Sequence, residues 1–583
     1  MSDPTTANGP TLLGPEQRRQ AWERLGSEQF DVVVIGGGVV GAGAALDAAT
    51  RGLKVALVEA RDFASGTSSR SSKMFHGGLR YLEQLEFGLV REALHERELS
   101  LTTLAPHLVK PLPFLFPLTN RWWERPYVAA GIFLYDQLGG AKSVPAQKHF
   151  FKAGALRLAP GLKRSSLIGG IRYYDTVVDD ARHTMTVART AAHYGAVVRS
   201  STQVVSLLRE GDRVIGVQVR DSEDGAITEV RGHVVINATG VWTDEIQALS
   251  KQRGRFRVRA SKGVHIVVPR DRIVSEVAII LRTEKSVLFV IPWGTHWIIG
   301  TTDTEWNLDL AHPAATKADI DYILGHVNTV LATPLTHDDI DGVYAGLRPL
   351  LAGESEETSK LSREHAVAVP APGLVAIAGG KYTTYRVMGA DAVDAAAEYI
   401  PARVAPSITE KVPLLGADGY FALINQTESV GAHYGLHPYR VRHLLDRYGS
   451  LISAVLQMAS GQAAARPDLL DPITAAPVYL KVEAWYAAAA EGALHLEDIL
   501  ARRMRISIEY PHRGVDCARE VAEIVAPVLN WSAEDVDREV ATYCARVDAE
   551  VRSQQQPDDE SADALRAAAP EARAEILEPV PLS

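Results

Sequence analysis

Asp31-Val32-Val33-Val34-Ile35-Gly36-Gly37-Gly38-Val39-Val40-Gly41 is the stretch that decides the fold. The apolar run before the glycines is typical of a buried strand, and the Ala-rich run that follows them is typical of a helix. A GxGxxG motif between a strand and a helix predicts a dinucleotide site. Gly36 permits the tight turn, Gly38 lets a pyrophosphate approach the backbone, and Gly41 lets the helix pack closely on the strand.

The next apolar strand, Val55–Val58, ends at Glu59 and Ala60. This is the interval expected of an acid that bonds the ribose hydroxyls of a dinucleotide. The start of the helix would supply free N–H groups and a positive dipole end for the phosphates. An NAD site is the alternative that this motif by itself leaves open.

Two later turns favour FAD over NAD. One strand ends at Gly240, and Leu374–Ala378 leads into Gly379-Gly380-Lys381 and a long helix. A second glycine-rich strand-to-helix turn suits a cofactor too long for one turn. Its helix N-terminus would face the flavin edge on which negative charge develops during reduction. Taken singly, each turn is equally well an ordinary connection between strand and helix.

Composition excludes several other classes of protein. The 583 residues are 46% hydrophobic and 23% charged, with a formal net charge of −10. A pI near 6.0 argues against nucleic-acid binding. Cys517 and Cys544 form no CxxC pair, which argues against a disulfide framework and an iron–sulfur cluster. Because no His, Asp and Glu residues cluster at metal-ligand spacing, we predict no metal.

The composition and the hydrophobic pattern along the chain predict four segments. Residues 1–27 are polar and are expected to be a flexible leader; residues 28–410 alternate between strand and helix signals. This alternation predicts an α/β domain with a largely parallel sheet and a second, inserted sheet. Residues 411–548 predict an all-α domain, and residues 549–583 a flexible tail. The sequence carries neither a secretory signal nor an apolar run of ~18 residues. We therefore expect a cytoplasmic protein that is at most peripheral to a membrane.

A hydroxyl-rich stretch, Thr67-Ser68-Ser69-Arg70-Ser71-Ser72-Lys73-Met74-Phe75-His76-Gly77-Gly78, follows the first nucleotide-binding unit. Thr67, Ser68, Ser71 and Ser72 are predicted to bond the cofactor. Histidine is the natural base for removing a hydroxyl proton near neutral pH, so His76 is our first candidate. If His76 is the base, the rate of the enzyme should fall as the pH drops below the ordinary pKa of histidine. An anchoring role for His76 is nearly as well supported, and His265 is a weaker candidate.

Several long stretches resemble the FAD-dependent glycerol-3-phosphate dehydrogenase and oxidase family over roughly residues 30–545. They are 71–73 and 76–83 (SSK…HGGLRYLE), 262–265 (KGVH), 300–304 (GTTDT), 346–350 (GLRPL), 379–386 (GGKYTTYR) and 496–503 (LEDILARR). Val264 departs from the family, in which Ser is frequent. The resemblance implies a Rossmann-like FAD-binding domain of the glutathione-reductase or D-amino-acid-oxidase type.

The resemblance also implies that Arg80, Arg348 and Lys381 bind glycerol 3-phosphate, with Tyr382 and Thr383 beside them. It places Gly240, Gly380 and Lys381 at the cofactor, and Arg348 would also stabilise the developing oxyanion. A phosphate dianion needs several charge-assisted donors, and arginine offers a planar fork of two. Alone, Arg80 would more simply pair with Glu83, and Arg348 would make a structural contact beside Pro349.

The electron acceptor is the open question in this family. The resemblance implies hydride transfer from glycerol 3-phosphate to FAD, giving dihydroxyacetone phosphate, and then either a membrane quinone or dioxygen. Residues 111–117 (PLPFLFP), 121–125 (RWWER) and 132–135 (IFLY) are apolar and flanked by Arg. Such a mixture suits a membrane interface, although buried packing explains each residue equally well. We expect a quinone-linked enzyme on the inner face of the cell membrane, and a homodimer by family likeness. The alternatives are a soluble oxidase, an FAD amine or amino-acid oxidase, and a flavin-binding module without turnover.

Overall fold

The fold is described by a computed structural model that covers residues 12–78, 80–83, 85–119, 124–139, 143–250, 257–283, 287–352 and 364–573, with backbone alone for Arg80 and Glu83. The strands are β1 Gln29–Ile35, β2 Val55–Val58, β3 Met74–Phe75, β4 Lys110–Leu118, β5 Lys148–Phe151, β6 Gly169–Val177, β7 Val197–Arg199, β8 Thr202–Glu210, β9 Arg213–Asp221, β10 Ile227–Asn237, β11 Val258–Pro269, β12 Ala278–Arg282, β13 Val287–Trp293, β14 His296–Gly300, β15 Thr304–Trp306, β16 Gly342–Leu351, β17 His365–Ala371, β18 Leu374–Gly379, β19 Pro472–Ile473 and β20 Ala476–Leu480.

The helices are α1 Pro15–Ser27, α2 Val39–Thr50, α3 Arg80–Glu83, α4 Phe87–Leu99, α5 Glu124–Gly139, α6 Lys152–Leu158, α7 Asp180–His193, α8 Thr243–Ala248, α9 Lys317–Asn328, α10 Tyr385–Ala397, α11 Tyr420–Ile424, α12 Thr427–Tyr434, α13 Pro438–Tyr448, α14 Ile452–Gly461, α15 Lys481–Ala490, α16 Ile506–Glu509, α17 Val515–Leu529, α18 Ala533–Ser553 and α19 Asp559–Ala567. Two π-helical turns, Ser100–Leu104 and Asp498–Arg503, stand apart from these.

The first sheet carries the nucleotide-binding turn. Its order is β17-β18-β10-β1-β2-β7, and β8 and β9 extend it from β10. All neighbours from β18 to β7 are parallel. The four residues of β2 are buried throughout, as a parallel strand covered on both faces requires. The Ala-rich helix α2 packs against α7 and α10 over one face of this sheet. Its small side chains allow the helices to approach closely.

The second sheet has the order β15-β11-β14-β13-β12-β4-β6-β3, with β16 beside β11 and β5 beside β6. Its pairs are antiparallel apart from β12 with β4. Its strands interrupt the first sheet along the chain, because β3 to β6 lie between β2 and β7, and β11 to β16 lie between β10 and β17. The predicted α/β fold with an inserted sheet is therefore confirmed.

The C-terminal part is mainly helical, as predicted, but it contains one feature that the sequence did not indicate. Within the predicted all-α segment 411–548, β19 and β20 form an antiparallel pair, and α15 begins only at Lys481. Pro472 and Pro477 explain the difference, because proline lacks the N–H that an interior helical position needs.

The expectation of a flexible leader and tail is wrong over much of both segments. Helix α1 buries Ala21 and Leu25, and both side chains belong to an apolar cluster with Phe30 of β1. At the other end, α18 continues to Ser553, and α19 buries Ala562. Scattered alanines within amphipathic helices supplied enough apolar surface for packing. Residues 1–11 and 574–583 lie outside the described part.

The apolar segment 111–117 lies in the interior. As part of β4 it pairs with β6, and Phe114, Leu115 and Phe116 are buried. Packing, the alternative to a membrane interface, thus explains this segment. Residues 121–123 lie outside the described residues. Within α5, Ile132 and Tyr135 are buried, whereas Phe133 and Leu134 are exposed by 57% and 36%, so only part of the predicted interface segment faces outward.

Candidate active site

The glycine turn has the geometry that its sequence demands. Gly36 has a φ of +107°, and a Cβ there would lie 2.7 Å from the carbonyl oxygen of Ala238. A Cβ on Gly41 would lie 1.9 Å from the carbonyl oxygen of Gly36. Gly38 is the N-cap of α2, with an extended backbone. Side chains are therefore excluded by backbone conformation at Gly36 and by the close helix–strand contact at Gly41.

Glu59 is held beside this turn. Its carboxylate accepts hydrogen bonds from the backbone N–H groups of Gly37, at 2.6 Å, and Arg61, at 2.8 Å. Burial raises the pKa of the Glu59 carboxyl. The acid is therefore oriented by the chain itself and lines the cavity where the sequence predicted a ribose contact.

A cavity of about 2150 Å³ runs from the glycine turn to the second sheet. It is lined by most of the residues that the sequence singled out: Gly36, Gly38, Glu59, Ala60, Thr67, Ser68, Ser71, Ser72, His76, Gly240, Arg348, Gly380, Lys381, Tyr382 and Thr383. Gly41 lies behind the turn, in the helix–strand contact. The side chain of Arg80 is outside the described part of the chain, so its predicted role stays a prediction.

The cavity joins the first glycine turn to the second. At the end of β18, Gly379 and Gly380 have φ values of +80° and +76°. A Cβ on Gly380 would meet the sulfur of Met388 at 2.5 Å. Both turns are thus bare backbone facing one space, which suits a cofactor longer than a mononucleotide. The residues present fit FAD, with its pyrophosphate at α2 and its flavin toward α10.

Two of the predicted hydroxyl groups serve the loop itself. Ser71 donates to Asp180 at 2.7 Å and Thr67 donates to the carbonyl oxygen of Leu347 at 2.5 Å. Ser68 accepts the N–H of Val39, at 3.0 Å, at the start of α2. Ser72 lies 2.9 Å from the Nε2 atom of His265. These contacts shape the loop along the cavity, and any bond from the same hydroxyls to a cofactor remains a prediction.

His76 is locked to the second glycine turn through its backbone. The hydroxyl of Thr383 accepts the His76 N–H at 3.2 Å and donates to the His76 carbonyl oxygen at 3.3 Å. Burial, with additional repulsion from Lys381 and Arg97, lowers the pKa of His76 to about 4. The imidazole is consequently neutral at pH 7, and the same burial and repulsion make it a weaker base than an ordinary histidine.

A second set of contacts holds the residue after His76. The hydroxyl of Tyr135 accepts the Gly77 N–H at 2.7 Å and donates to Asp175 at 2.7 Å. Arg97 donates to the same carboxylate oxygen at 2.8 Å. Tyr135 comes from α5, and Asp175 from β6. The His76–Gly77 backbone is therefore fixed from two directions by side chains distant in sequence.

Arg348 and Lys381 bring positive charge to the cavity. Arg348 donates to the hydroxyl of Thr301 at 3.1 Å and lies 3.4 Å from the carboxylate of Asp303. The ammonium group of Lys381 lies 3.7 Å from the centre of the Tyr81 ring, a cation–π distance. Arg348 comes from β16 and Lys381 follows β18, and both line the same cavity as His76.

Tyr382 is placed differently from its predicted substrate role. Its hydroxyl donates to the Asp180 carbonyl oxygen at 2.6 Å and lies within 3.1 Å of His183 and 3.0 Å of Thr184. Burial raises the pKa of this phenol well above its ordinary value. The hydroxyl is thus engaged with α7, and any contact of Tyr382 with the substrate stays a prediction.

The sequence did not predict a buried ionic cluster that lies behind the hydroxyl-rich stretch 67–78. Lys73 donates to Asp180 and to the Ser69 carbonyl oxygen, both at 2.9 Å. Arg505, which follows the 496–503 motif, pairs with Asp180 and, at 2.8 Å, with Asp179. The sequence did contain an indication of this cluster, because Lys73 lies within the hydroxyl-rich stretch. The C-terminal part therefore supports the loop that faces the cofactor space.

The same motif makes a further contact across the chain. Arg503 binds both carboxylate oxygens of Asp62, at 2.7 and 2.8 Å, and Arg502 binds the same carboxylate at 2.6 Å. Asp62 lies three residues after Glu59. The adenosine end of the predicted cofactor site is thus fastened to the π-helical turn.

One group of potential metal ligands occurs within the described ranges. Atoms of His95, Glu96 and Glu410 lie within 4.8 Å of one another. The guanidinium of Arg386, however, binds Glu96 at 2.6 Å and Glu410 at 3.2 Å. A cation already neutralises these carboxylates, and the group lies outside the residues that line the large cavity.

Two bare glycine turns on one cavity, with a buried acid at the first, define the class of FAD-dependent oxidoreductases. Comparison with known proteins agrees: residues 31–386 match the family described as FAD dependent oxidoreductase. Residues 407–536 match the C-terminal domain of alpha-glycerophosphate oxidase. FAD is accordingly the cofactor of this chain.

Full-length relatives narrow the class. Glycerol-3-phosphate dehydrogenase 2 of Mycobacterium tuberculosis is 87% identical over 98% of this chain and 97% of its own length. The human mitochondrial glycerol-3-phosphate dehydrogenase is 35% identical over 89% of this chain and 73% of its own length. The crystal structure of a Bacillus halodurans glycerol-3-phosphate dehydrogenase with FAD superposes with a TM-score of 0.77 at 28% identity, covering 94% of this chain and 99% of that one. The chain therefore belongs to the FAD-dependent glycerol-3-phosphate dehydrogenase family.

Proposed function

We propose that this chain oxidises sn-glycerol 3-phosphate to dihydroxyacetone phosphate and passes the electrons to a membrane quinone. The names of its relatives support the substrate. The observation that carries the proposal is a single cavity that brings a neutral His76 together with two cations, Arg348 and Lys381, at the second glycine turn.

Phosphate recognition follows from these cations. Arg348 is held in place by Thr301, Thr302 and Asp303, so its guanidinium is oriented before substrate arrives. A phosphate dianion would compete with Asp303, from which Arg348 is separated by 3.4 Å. Lys381 adds a second positive charge at the second glycine turn. Two charge-assisted donors of this kind favour a phosphate over the carboxylate of an amino acid.

The chain supplies the proton chemistry. When bound, FAD supplies the acceptor for the hydride from C2 of the substrate. His76 removes the proton of the C2 hydroxyl, because its neutral imidazole faces the cavity and its backbone is pinned by Thr383 and Tyr135. Arg348 stabilises the negative charge that develops on the substrate oxygen.

A quinone acceptor is supported by the walls of the cavity. The ring of Phe289 lies 6.3 Å from that of His76 and 6.0 Å from that of Phe114. The lining continues past Phe116 to Arg282, which is exposed. Phe116 and Phe289 in the lining, with exposed Arg282 beside them, suit a flat apolar acceptor, because a quinone gains more from apolar contacts than dioxygen does.

Association with the inner face of the cell membrane is supported by the outer face of α5. Tyr127, Phe133 and Leu134 are exposed by 50%, 57% and 36% on this helix, and Arg125 lies near exposed Phe151. Aromatic residues beside a cation suit a lipid headgroup region. Among the described residues, no helix combines the length and apolar character needed to cross a bilayer.

Anaerobic mixing of the purified holoenzyme with glycerol 3-phosphate tests the substrate. The flavin absorbance should bleach, whereas glycerol and glycine should leave it unchanged. Bleaching by glycine instead would show that the protein is an amino-acid oxidase. Absence of bleaching with all three compounds would show that it is a flavin-binding module without turnover.

Reoxidation then tests the acceptor. A quinone analogue should restore the absorbance of the reduced enzyme far faster than air-saturated buffer does. Rapid reoxidation by dioxygen with release of hydrogen peroxide would show that the chain is an oxidase.

A further inference from the structure

A second, smaller cavity of about 100 Å³ lies where separate parts of the chain meet. Arg70 of the hydroxyl-rich loop borders it and also borders the large cavity. Three further residues border the small cavity: Arg513, which comes just before α17, Glu550 of α18 and Arg566 of α19. We call this group of four residues the arginine pocket.

The arginine pocket contains more positive than negative charge. Arg513 binds one oxygen of Glu550 at 3.1 Å, and Arg566 binds the other oxygen at 2.8 Å. Arg70 donates to the carbonyl oxygen of Ala311 at 3.0 Å. In the part of the chain that is described, Arg70 has no carboxylate partner within ion-pair distance. Three guanidinium groups therefore share one carboxylate, which leaves a formal excess of two positive charges.

Neighbouring acids do not remove this excess. Glu497 also borders the small cavity, but it pairs with Arg502 at 3.2 Å and with Arg546 at 3.9 Å. Arg505 borders it as well and is matched by Asp179 and Asp180. These acids are therefore already paired with arginines outside the arginine pocket.

Burial makes the excess charge costly. Arg513 and Arg566 are only 5% and 8% exposed. The Nε atom of Arg566 is buried and finds no hydrogen-bond partner among the described residues. Burial and the nearby guanidinium groups of Arg566 and Arg502 lower the pKa of Arg70 to about 10, although the carboxylates of Glu497 and Glu550 act in the opposite direction. An uncompensated buried charge is unfavourable unless a counter-ion or water satisfies it.

We propose that the arginine pocket binds a small tetrahedral oxyanion of the inorganic phosphate class. A dianion would match the two excess charges, and planar guanidinium groups present paired donors to oxyanions. The accessible space of about 100 Å³ is several times the ~10–15 Å³ that one water needs on the same measure. This leaves room for such an ion. The bound ion would join the hydroxyl-rich loop, α17 and α19.

Thermal unfolding of the FAD-loaded full chain tests the proposal. The midpoint is measured against inorganic phosphate, with ionic strength held constant by chloride. The wild type should show a saturable rise, because a ligand that binds only the folded state stabilises it. Arg513→Gln and Arg566→Gln should each weaken the apparent phosphate affinity about tenfold or more, since each removes a charge-assisted donor.

Arg519→Gln is the matched control, since Arg519 lies on α17 but is exposed at the surface and pairs with Asp537 at 2.6 Å. It should retain the wild-type response. Equal responses in all variants would overturn the assignment and trace the effect to the large cavity. A rise that never saturates would also overturn it, because it would reflect a general salt effect.

A measurement on the wild type does not depend on how the variants fold. Crystals of the holoenzyme soaked in selenate should give an anomalous peak within hydrogen-bond distance of Arg70, Arg513 or Arg566. Absence of a peak there, with selenate present in the large cavity of the same crystal, would refute the site.

Discussion

At the scale of single residues, the proposed role of His76 as the base depends on how firmly its backbone is held. Thr383 binds both its N–H and its carbonyl group, and Tyr135 binds the next N–H. A backbone held in this way fixes the imidazole relative to the second glycine turn. Such fixation matters because a base must lie within hydrogen-bond reach of the proton it removes.

His76→Ala should slow anaerobic flavin reduction by glycerol 3-phosphate about 10²–10⁴-fold, the usual contribution of a general base. FAD content and substrate affinity should change little, because the glycine turns, Arg348 and Lys381 remain. Stopped-flow absorbance gives the rate. His433→Ala, at an exposed position of α12, is the control. If the variant loses FAD yet keeps the wild-type rate at saturation, His76 is an anchor and not the base.

The pH dependence of the same step should be displaced from that of an ordinary histidine. The base works only when deprotonated, and burial and nearby cations lower the pKa of His76 to about 4. The rate should therefore be level through neutral pH and fall as pH decreases through about 4. A brief pH jump in the stopped-flow instrument measures this before unfolding intervenes. A fall centred near pH 6.5 would contradict the depressed pKa.

Tyr135→Phe should slow flavin reduction roughly tenfold while the Michaelis constant and FAD content stay near normal, because the hydrogen bonds to Gly77 and Asp175 are lost and the ring remains. Tyr420→Phe is the matched control: its buried hydroxyl binds Asp446 at 2.6 Å, and Lys110 pairs with that acid at 3.0 Å. This triad lies outside the cavity lining. Equal rates in the two variants would show that Tyr135 merely stabilises the fold.

At the scale of elements, α19 and residues 568–573 act as a strap over the end of the cavity that Glu59 and Ala60 line. Ala567 and Glu571 line the cavity together with Glu59 and Ala60. Glu571 binds His312 at 2.7 Å, and the buried Arg573 binds Asp498 at 2.9 Å. The strap is thus tied both to the connection between β15 and α9 and to the π-helical turn.

Truncation after residue 557 should accelerate FAD dissociation about tenfold or more, because it removes a cavity wall and a buried charge-assisted pair. Release is followed by the rise in flavin fluorescence after dilution. Truncation after residue 573 is the control, since it keeps α19 and Arg573. Identical release rates in the two truncated chains would show that the strap does not retain the cofactor.

At the scale of the whole molecule, α5 has two faces with different roles. Its inner face carries Tyr135 to the catalytic loop, and its outer face presents Tyr127, Phe133 and Leu134. The proposed membrane surface and the positioning residue Tyr135 therefore lie on opposite sides of one helix. We expect the two properties to be separable by mutation.

Phe133→Glu combined with Leu134→Glu should weaken binding to anionic lipid vesicles about tenfold or more, since each apolar side chain contributes ~1.5–3 kcal/mol when buried. Co-sedimentation measures binding, and anaerobic flavin reduction should be unaffected. Phe421→Glu combined with Tyr439→Glu removes comparable aromatic side chains, exposed by 61% and 54% on other helices. If this control lowers binding equally, α5 is not the docking surface.

The features that the sequence predicted well depend on short-range constraints. Gly36 requires a positive φ, and Gly41 lies against the backbone of the same turn. The hydrophobic pattern of β1 and β2 indicated strands buried on both faces. Each of these follows from neighbours along the chain, so the dinucleotide-binding turn could be derived without a structure. The family motifs extended this to the cofactor, and the roles that they imply for Arg348 and Lys381 stay predictions.

The features that only the tertiary structure decided involve residues far apart in sequence. Composition alone suggested a flexible tail, yet Arg573 is buried against Asp498. Tyr382 appeared to be a substrate ligand until Asp180 was found at its hydroxyl. A sequence shows which side chains carry charge or a hydroxyl, but the partner of each depends on how the two sheets and the helical part meet. By itself, the sequence therefore determined the glycine turn and the chemical groups of the site. Packing decided which of those groups face the cavity and which are neutralised by a neighbour.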